Sequence, residues 1–108
     1  MSGFIMDERV CRSIALALTA NSEDLQDRQQ QEDAARQSGM TGAEIDLARR
    51  GSSFDALTSF AMALAIAARF TDPALIAATR DKAVKAGISP EVCAAIEAFA
   101  IKSFDPIA

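Results

Sequence analysis

TGAEIDLARRGSSFDALTSFAMALAIAARFTDPALIAATRDKAVKAGISPEVCAAIEAFAIKSF, residues 41–104, decides the fold, because its punctuation marks four helices. Thr41 opens the first, three residues ahead of Glu44, and Gly51 closes it. Ser52 and Ser53 open a second that runs to Phe70. Asp72-Pro73 opens a third, closed by Gly87, and Ser89-Pro90 opens the last. Each start places a hydroxyl or carboxylate where it can accept from the free N–H groups of a first turn. Two starts follow it with proline at the first helical position, where no backbone donor is lost. Thr41 and Glu44 have the spacing of a capping box, in which each side chain accepts from the other's backbone N–H.

Upstream, residues 1–6 read as a loose terminus. From Asp7 to Ala20 the apolar residues Val10, Cys11, Ile14, Ala15 and Leu18 recur at three- and four-residue steps. Leu16 and Ala17 widen that face, so this helix is expected to be buried on more than one side. Asn21-Ser22 is placed to cap a second helix over residues 23–38, with Gly39 just past its end. That helix is polar, with only Leu25, Ala34 and Ala35 as apolar groups, and Glu32 stands four residues before Arg36 as an ion-pair partner. The helix from Ser52/Ser53 to Phe70 differs. Phe54, Leu57, Phe60, Ala61, Leu64 and Ala68 form one stripe, while Met62, Ala63, Ile66 and Ala67 make the opposite side apolar too. Met62, Ile66 and Phe70 exceed what so small a domain is expected to cover, which points to an interface between copies.

Composition fits one all-α domain over residues 1–108. Half of the residues are apolar, alanine dominates, and six Phe stand with no Trp or Tyr. Small side chains let helix axes approach closely, and few segments show the β-branched alternation of a strand. The net charge of −4, with arginines scattered among acids, argues against nucleic acid, which needs clustered cations. The longest low-charge stretch, Ala56 to Ala68, falls short of a membrane span, and no targeting signal is read. A cytoplasmic protein is the expectation. With no histidine, the chain has no Ser-His-Asp or Cys-His relay and no histidine metal site. Cys11 and Cys93 are its two cysteines, and no CxxC is present.

From Gly39 onward the chain resembles the alkylhydroperoxidase D and carboxymuconolactone decarboxylase family. Gly39-Met40-Thr41-Gly42-Ala43-Glu44-Ile45 is similar to that family's start of a short helix, and Gly51 to Leu57 with Phe60 to Leu64 is similar to the long helix after it. Asp72-Pro73, Ala86-Gly87-Ile88-Ser89, Glu91-Val92, Ile96 and Phe99 through Phe104 continue the likeness over about two-thirds of the chain. The resemblance implies a six-helix bundle assembled as a trimer or a dimer of trimers. It also implies a site, one helix upstream, built on Cys-x-x-Cys-x-x-x-His with a helping glutamate. Here the two thiol positions fall on Asp24 and Asp27, the histidine on Gln31, and the glutamate near Cys11 or Arg12. A carboxylate cannot attack a peroxide or form a disulfide, so thiol peroxidase activity by the family mechanism is not expected.

Asp24, Asp27 and Gln31 lie at i, i+3 and i+7, on one helical face. They make either a small acidic pocket for a hard cation or for acid–base work, or a solvated polar face left after loss of a site. Cys11 and Cys93 are either a relocated redox couple or two buried apolar thiols. No catalytic residue, cofactor or metal is assigned. The expected function is that of an oligomeric binding or interaction module. The alternatives are an alkylhydroperoxidase-like or decarboxylase-like enzyme with a relocated or carboxylate-based site, and a partner to a separate dithiol protein.

Overall fold

A computed structural model describes residues 4–20 and 23–103. Six helices follow in order: α1 (Glu8–Leu18), α2 (Leu25–Gln37), α3 (Gly42–Arg49), α4 (Ala56–Phe70), α5 (Pro73–Ala86) and α6 (Pro90–Ser103). There is no strand among the described residues, so the protein is all-α.

Local chemistry sets these boundaries. Thr41 and Glu44 form the capping box: the Glu44 N–H donates to Thr41 Oγ1 at 3.2 Å, and the Thr41 N–H to Glu44 Oε1 at 2.9 Å. Asp72 caps α5, with Pro73 at its first position, and the Val92 N–H donates to Ser89 Oγ at the start of α6. Gly39 and Gly87 close their helices at φ of 92° and 119°. At each stop the next residue reaches back across the turn, Met40 N–H to Ala35 O and Ile88 N–H to Ala83 O. All four of those residues are buried. The stops therefore supply core contacts as well as satisfied carbonyls.

Two expected starts differ. Asn21 and Ser22 lie outside the described residues, and Asp24 caps α2, accepting from the Gln26 and Asp27 N–H groups. At α4 the cap is Asp55, not Ser52 or Ser53. Its carboxylate takes the Thr58 N–H at 2.9 Å and the Thr58 hydroxyl at 2.7 Å. Ser53 instead ties the preceding turn, accepting from the Asp55 N–H and exchanging two bonds with Ser59. Phe54 thus leaves the expected stripe and stands 72% exposed. Phe4 and Met6, placed by sequence in a loose terminus, pack against the core.

The core is one cluster to which all six helices contribute. α4 lies at its centre, packed on α1, α5 and α6, while α1 also meets α2 and α3. Ala61, Ala65, Ala67 and Ala68 are at most 1% exposed, so α4 is approached closely on several sides. Met62 is fully buried and Ile66 half-buried, so the single chain covers two of the three residues assigned above to an interface. Phe70 remains half exposed. The molecule is a slab of 35 × 35 × 19 Å. No helix among the described residues is long and apolar enough to cross a membrane.

Thr71 ends α4 at φ 57°, a left-handed conformation that crowds a β-branched side chain. Relief of that crowding is worth about 1–2 kcal/mol, against about 0.5–1 kcal/mol for the extra unfolded-chain freedom of glycine. Thr71→Gly is therefore expected to stabilise the protein by about 0.5–1 kcal/mol. Urea denaturation measures it, and a loss of stability would show that the residue carries no such strain.

Candidate functional site

Three surface cavities bring polar groups together. The first lies between the start of α1, the capping box of α3 and the turn before α4. Its charged groups are all engaged: Arg9 pairs with Glu44, the Val10 N–H donates to Asp7, and Asp55 caps α4. Hydrogen bonds to Thr41 hold the Glu44 carboxyl below its usual range, and those to Thr58 do the same for Asp55. These groups fasten helix ends.

The second cavity lies where α1, α3 and α4 end, beside Arg49, Arg50 and Arg69. Arg69 donates to the Leu18 carbonyl, Arg49 to Glu32 and to the Arg28 carbonyl, and Arg50 pairs with Asp46. Cations placed at helix C-termini answer the exposed carbonyls and their dipoles. Glu32 thus finds its partner at 3.1 Å on α3 rather than in Arg36. Only Arg49 Nη1 in this group is buried without a hydrogen bond.

The third cavity, of about 490 Å³, is different. Met6, Asp7, Glu8, Cys11, Arg12 and Ala15 line one side, Gln31 of α2 and Phe99 of α6 the other. Arg12 Nε and Gln31 Oε1 are both shut off from solvent and have no hydrogen-bond partner. Burying a polar group unsatisfied costs about 1–3 kcal/mol. Both residues line the cavity, while these two atoms lie beneath its surface. Arg12 belongs to none of the ion pairs among the described residues.

Cys11 sits half-buried on this wall, its thiol 3.9 Å from the Met6 carbonyl. Burial, and then the negative charge of Asp7 and Glu8, push its pKa above the ordinary thiol value, with Arg12 opposing. Cys93 is buried in α6, and burial followed by Glu97 pushes its thiol up as well. Both are free thiols. Nucleophilic attack needs a thiolate, which lowered rather than raised pKa values supply.

The three residues read from sequence as one face divide here. Asp24 is the exposed cap of α2, and its carboxylate accepts from two backbone N–H groups. Asp27 is half-buried in the first turn. Gln31 alone reaches the cavity, where it meets Cys11 and Arg12 across the gap between helices. No cluster of three or more Cys, Asp or Glu able to hold a metal occurs among the described residues. Phe99 entered the sequence reading through the resemblance, and Arg12 as a position near which the helping glutamate falls. The available signal for Arg12 was a cation between Cys11 and Ser13 on a helix that is otherwise apolar on several sides.

Comparison of the chain with models of protein families, with curated proteins and with solved structures finds no match.

Proposed function

We propose that this protein is a divergent alkylhydroperoxidase D-like bundle that has lost the thiol peroxidase site and acts in the cytoplasm as an oligomeric binding module. Its ligand occupies the cavity between α1, α2 and α6. The observation that carries this reading is the chemistry of that wall. Where the resemblance puts thiols and a histidine, the chain has a helix cap, a carboxylate and an amide. The one thiol lining the cavity is held protonated by burial and by neighbouring carboxylates. What remains is a lining of charged and apolar side chains with no activated thiol, which suits binding rather than redox turnover.

Turnover of an alkyl hydroperoxide with a thiol reductant is expected to stay at the rate of the protein-free reaction. If hydroperoxide were consumed catalytically, and Cys11→Ala with Cys93→Ala abolished it, the two cysteines would be a redox couple and this reading would fall.

Assembly is proposed on the resemblance and on the apolar side chains left outside. Phe70, Leu75, Val84 and Ile101 are 39–49% exposed on α4, α5 and α6. Light scattering at micromolar concentration is expected to give a mass above that of one chain, with Leu75→Glu shifting it downward. A monomeric mass for the unmodified protein would remove the oligomer from the proposal.

A further inference from the structure

The helix α6 is apolar on two sides. Cys93, Ile96 and Ala100 are buried in the core, with Val92 and Phe99 half-buried beside them. On the other side Glu91, Ala94, Ala95, Ala98, Ile101 and Lys102 are exposed, Ile101 by 48%. They stand at i, i+3, i+4, i+7, i+10 and i+11, so they share one helical face. The exposed residues of α5 differ, since they include Arg80, Asp81, Lys82 and Lys85. A helix apolar on both sides is normally covered on both.

Charge says what covers the outer face. Glu91 stands in the first turn of α6 and Lys102 in the last, about 16 Å apart along the axis. Neither belongs to an ion pair among the described residues, and no exposed charge lies between them. The face is therefore complementary to itself when reversed. A second copy laid antiparallel sets Glu91 against Lys102 of the partner subunit at both ends and alanines against alanines in the middle. A parallel arrangement sets like charges together at both ends. Alanines at the crossing let two helix axes come close, and antiparallel helices also oppose their dipoles favourably.

We propose that the outer face of α6 is a twofold interface with a second copy of this chain, the two α6 helices packed antiparallel with Ala95 and Ala98 at the crossing and Ile101 beside them. Because a twofold contact is made by the same patch on both subunits, each charge pair occurs twice. This inference rests on the oligomeric reading above and names the face that carries it. In a simple dimer the contact is the whole assembly, and in a dimer of trimers it joins the two halves. Its loss halves the mass in either case.

The test follows the mass of the full chain by sedimentation over a range of concentrations, which gives the dissociation constant of the contact. Glu91→Lys and Lys102→Glu, made singly, each place like charges at both ends, and each is expected to raise that constant about tenfold. The two changes together restore opposite pairs with the signs exchanged, and should return it to within about threefold of the original. If the two charges served only the dipole of their own helix, the double variant would be worse than either single one. Ala98→Arg puts bulk at the crossing and is expected to halve the mass at micromolar concentration. Circular dichroism checks that each variant keeps its helices, and Ala95→Lys serves if Ala98→Arg does not fold. An assembly that the single reversals or Ala98→Arg leave intact, or that the double variant does not recover, overturns this interface while the oligomer stands. A monomeric mass for the unmodified chain removes both.

Discussion

Leu64→Ala is expected to destabilise the protein by about 2–5 kcal/mol, toward the upper end of that range. Leu64 is fully buried on α4, the helix that meets α1, α5 and α6. The cost of such a truncation depends on how far the surroundings can collapse into the space. Here the neighbours along the same helix are Ala61, Ala65, Ala67 and Ala68. Alanine has no rotamers with which to refill a hole, and each is already held by a close approach to another helix. For a small domain with a total stability of about 5–15 kcal/mol, this single change removes a large share. Leu25→Ala, at a side chain 75% exposed at the start of α2, serves as the contrast and is expected to cost well under half as much. Urea denaturation of both variants measures the difference. A loss for Leu64→Ala below about 1 kcal/mol would mean that the core around α4 relaxes far more freely than its alanines allow.

Ala35→Asp should produce a different kind of failure. Ala35 is the one buried residue of α2 and is fully enclosed. An unpaired carboxylate at that position costs several kcal/mol. Yet α2 is otherwise polar, and its main contacts are with α1 and, less extensively, α3. Its hold on the rest of the molecule rests on Ala35, on Met40 just beyond it and on the Arg49 bonds to Glu32 and to the Arg28 carbonyl. The chain can avoid burying the charge by releasing this one helix, so the penalty is capped by the docking energy of α2. Hydrogen exchange is expected to show loss of protection confined to residues 25–37, with α4 and α6 amides still protected. Equal loss of protection in α4 would show that α2 is integral to the fold rather than an appendage.

Much of the fold was legible from residues 41 onward because caps are local. Thr41 with Glu44, Asp72 with Pro73, Gly87, and Ser89 with Pro90 each act within a few residues, and the structure uses all of them as read. Local reading failed where two residues compete for one role. Ser53 and Asp55 can both cap α4, and the choice falls on the carboxylate that also takes the Thr58 hydroxyl, while Ser53 goes to Ser59. It failed again where a partner comes from elsewhere in the chain. Glu32 prefers Arg49 of α3 to Arg36, and Met62 is covered by helices that lie far from it in sequence. The candidate cavity belongs to this second kind. Arg12, Gln31 and Phe99 come from three helices, and no spacing within any one of them signals that they share a wall.

The position of α4 has a consequence for how the chain is made. Ile14 and Leu16 of α1 are completely covered in the finished protein, and α4 is one of the helices packed on α1. On a translating ribosome α1 emerges before the other five helices. Helices α2 and α3 can cover it in part, but more than forty further residues follow Leu16 before Leu64 at the middle of α4 is made. At about 5–20 residues per second, the delay is on the order of several seconds. Helix α5 needs no such wait, since it follows α4 within a few residues and packs on it, and α6 reaches α4 as soon as α5 has been made. An apolar face of α1 is therefore made before the central helix that completes its cover. The interval between the two is where a chaperone would find this protein.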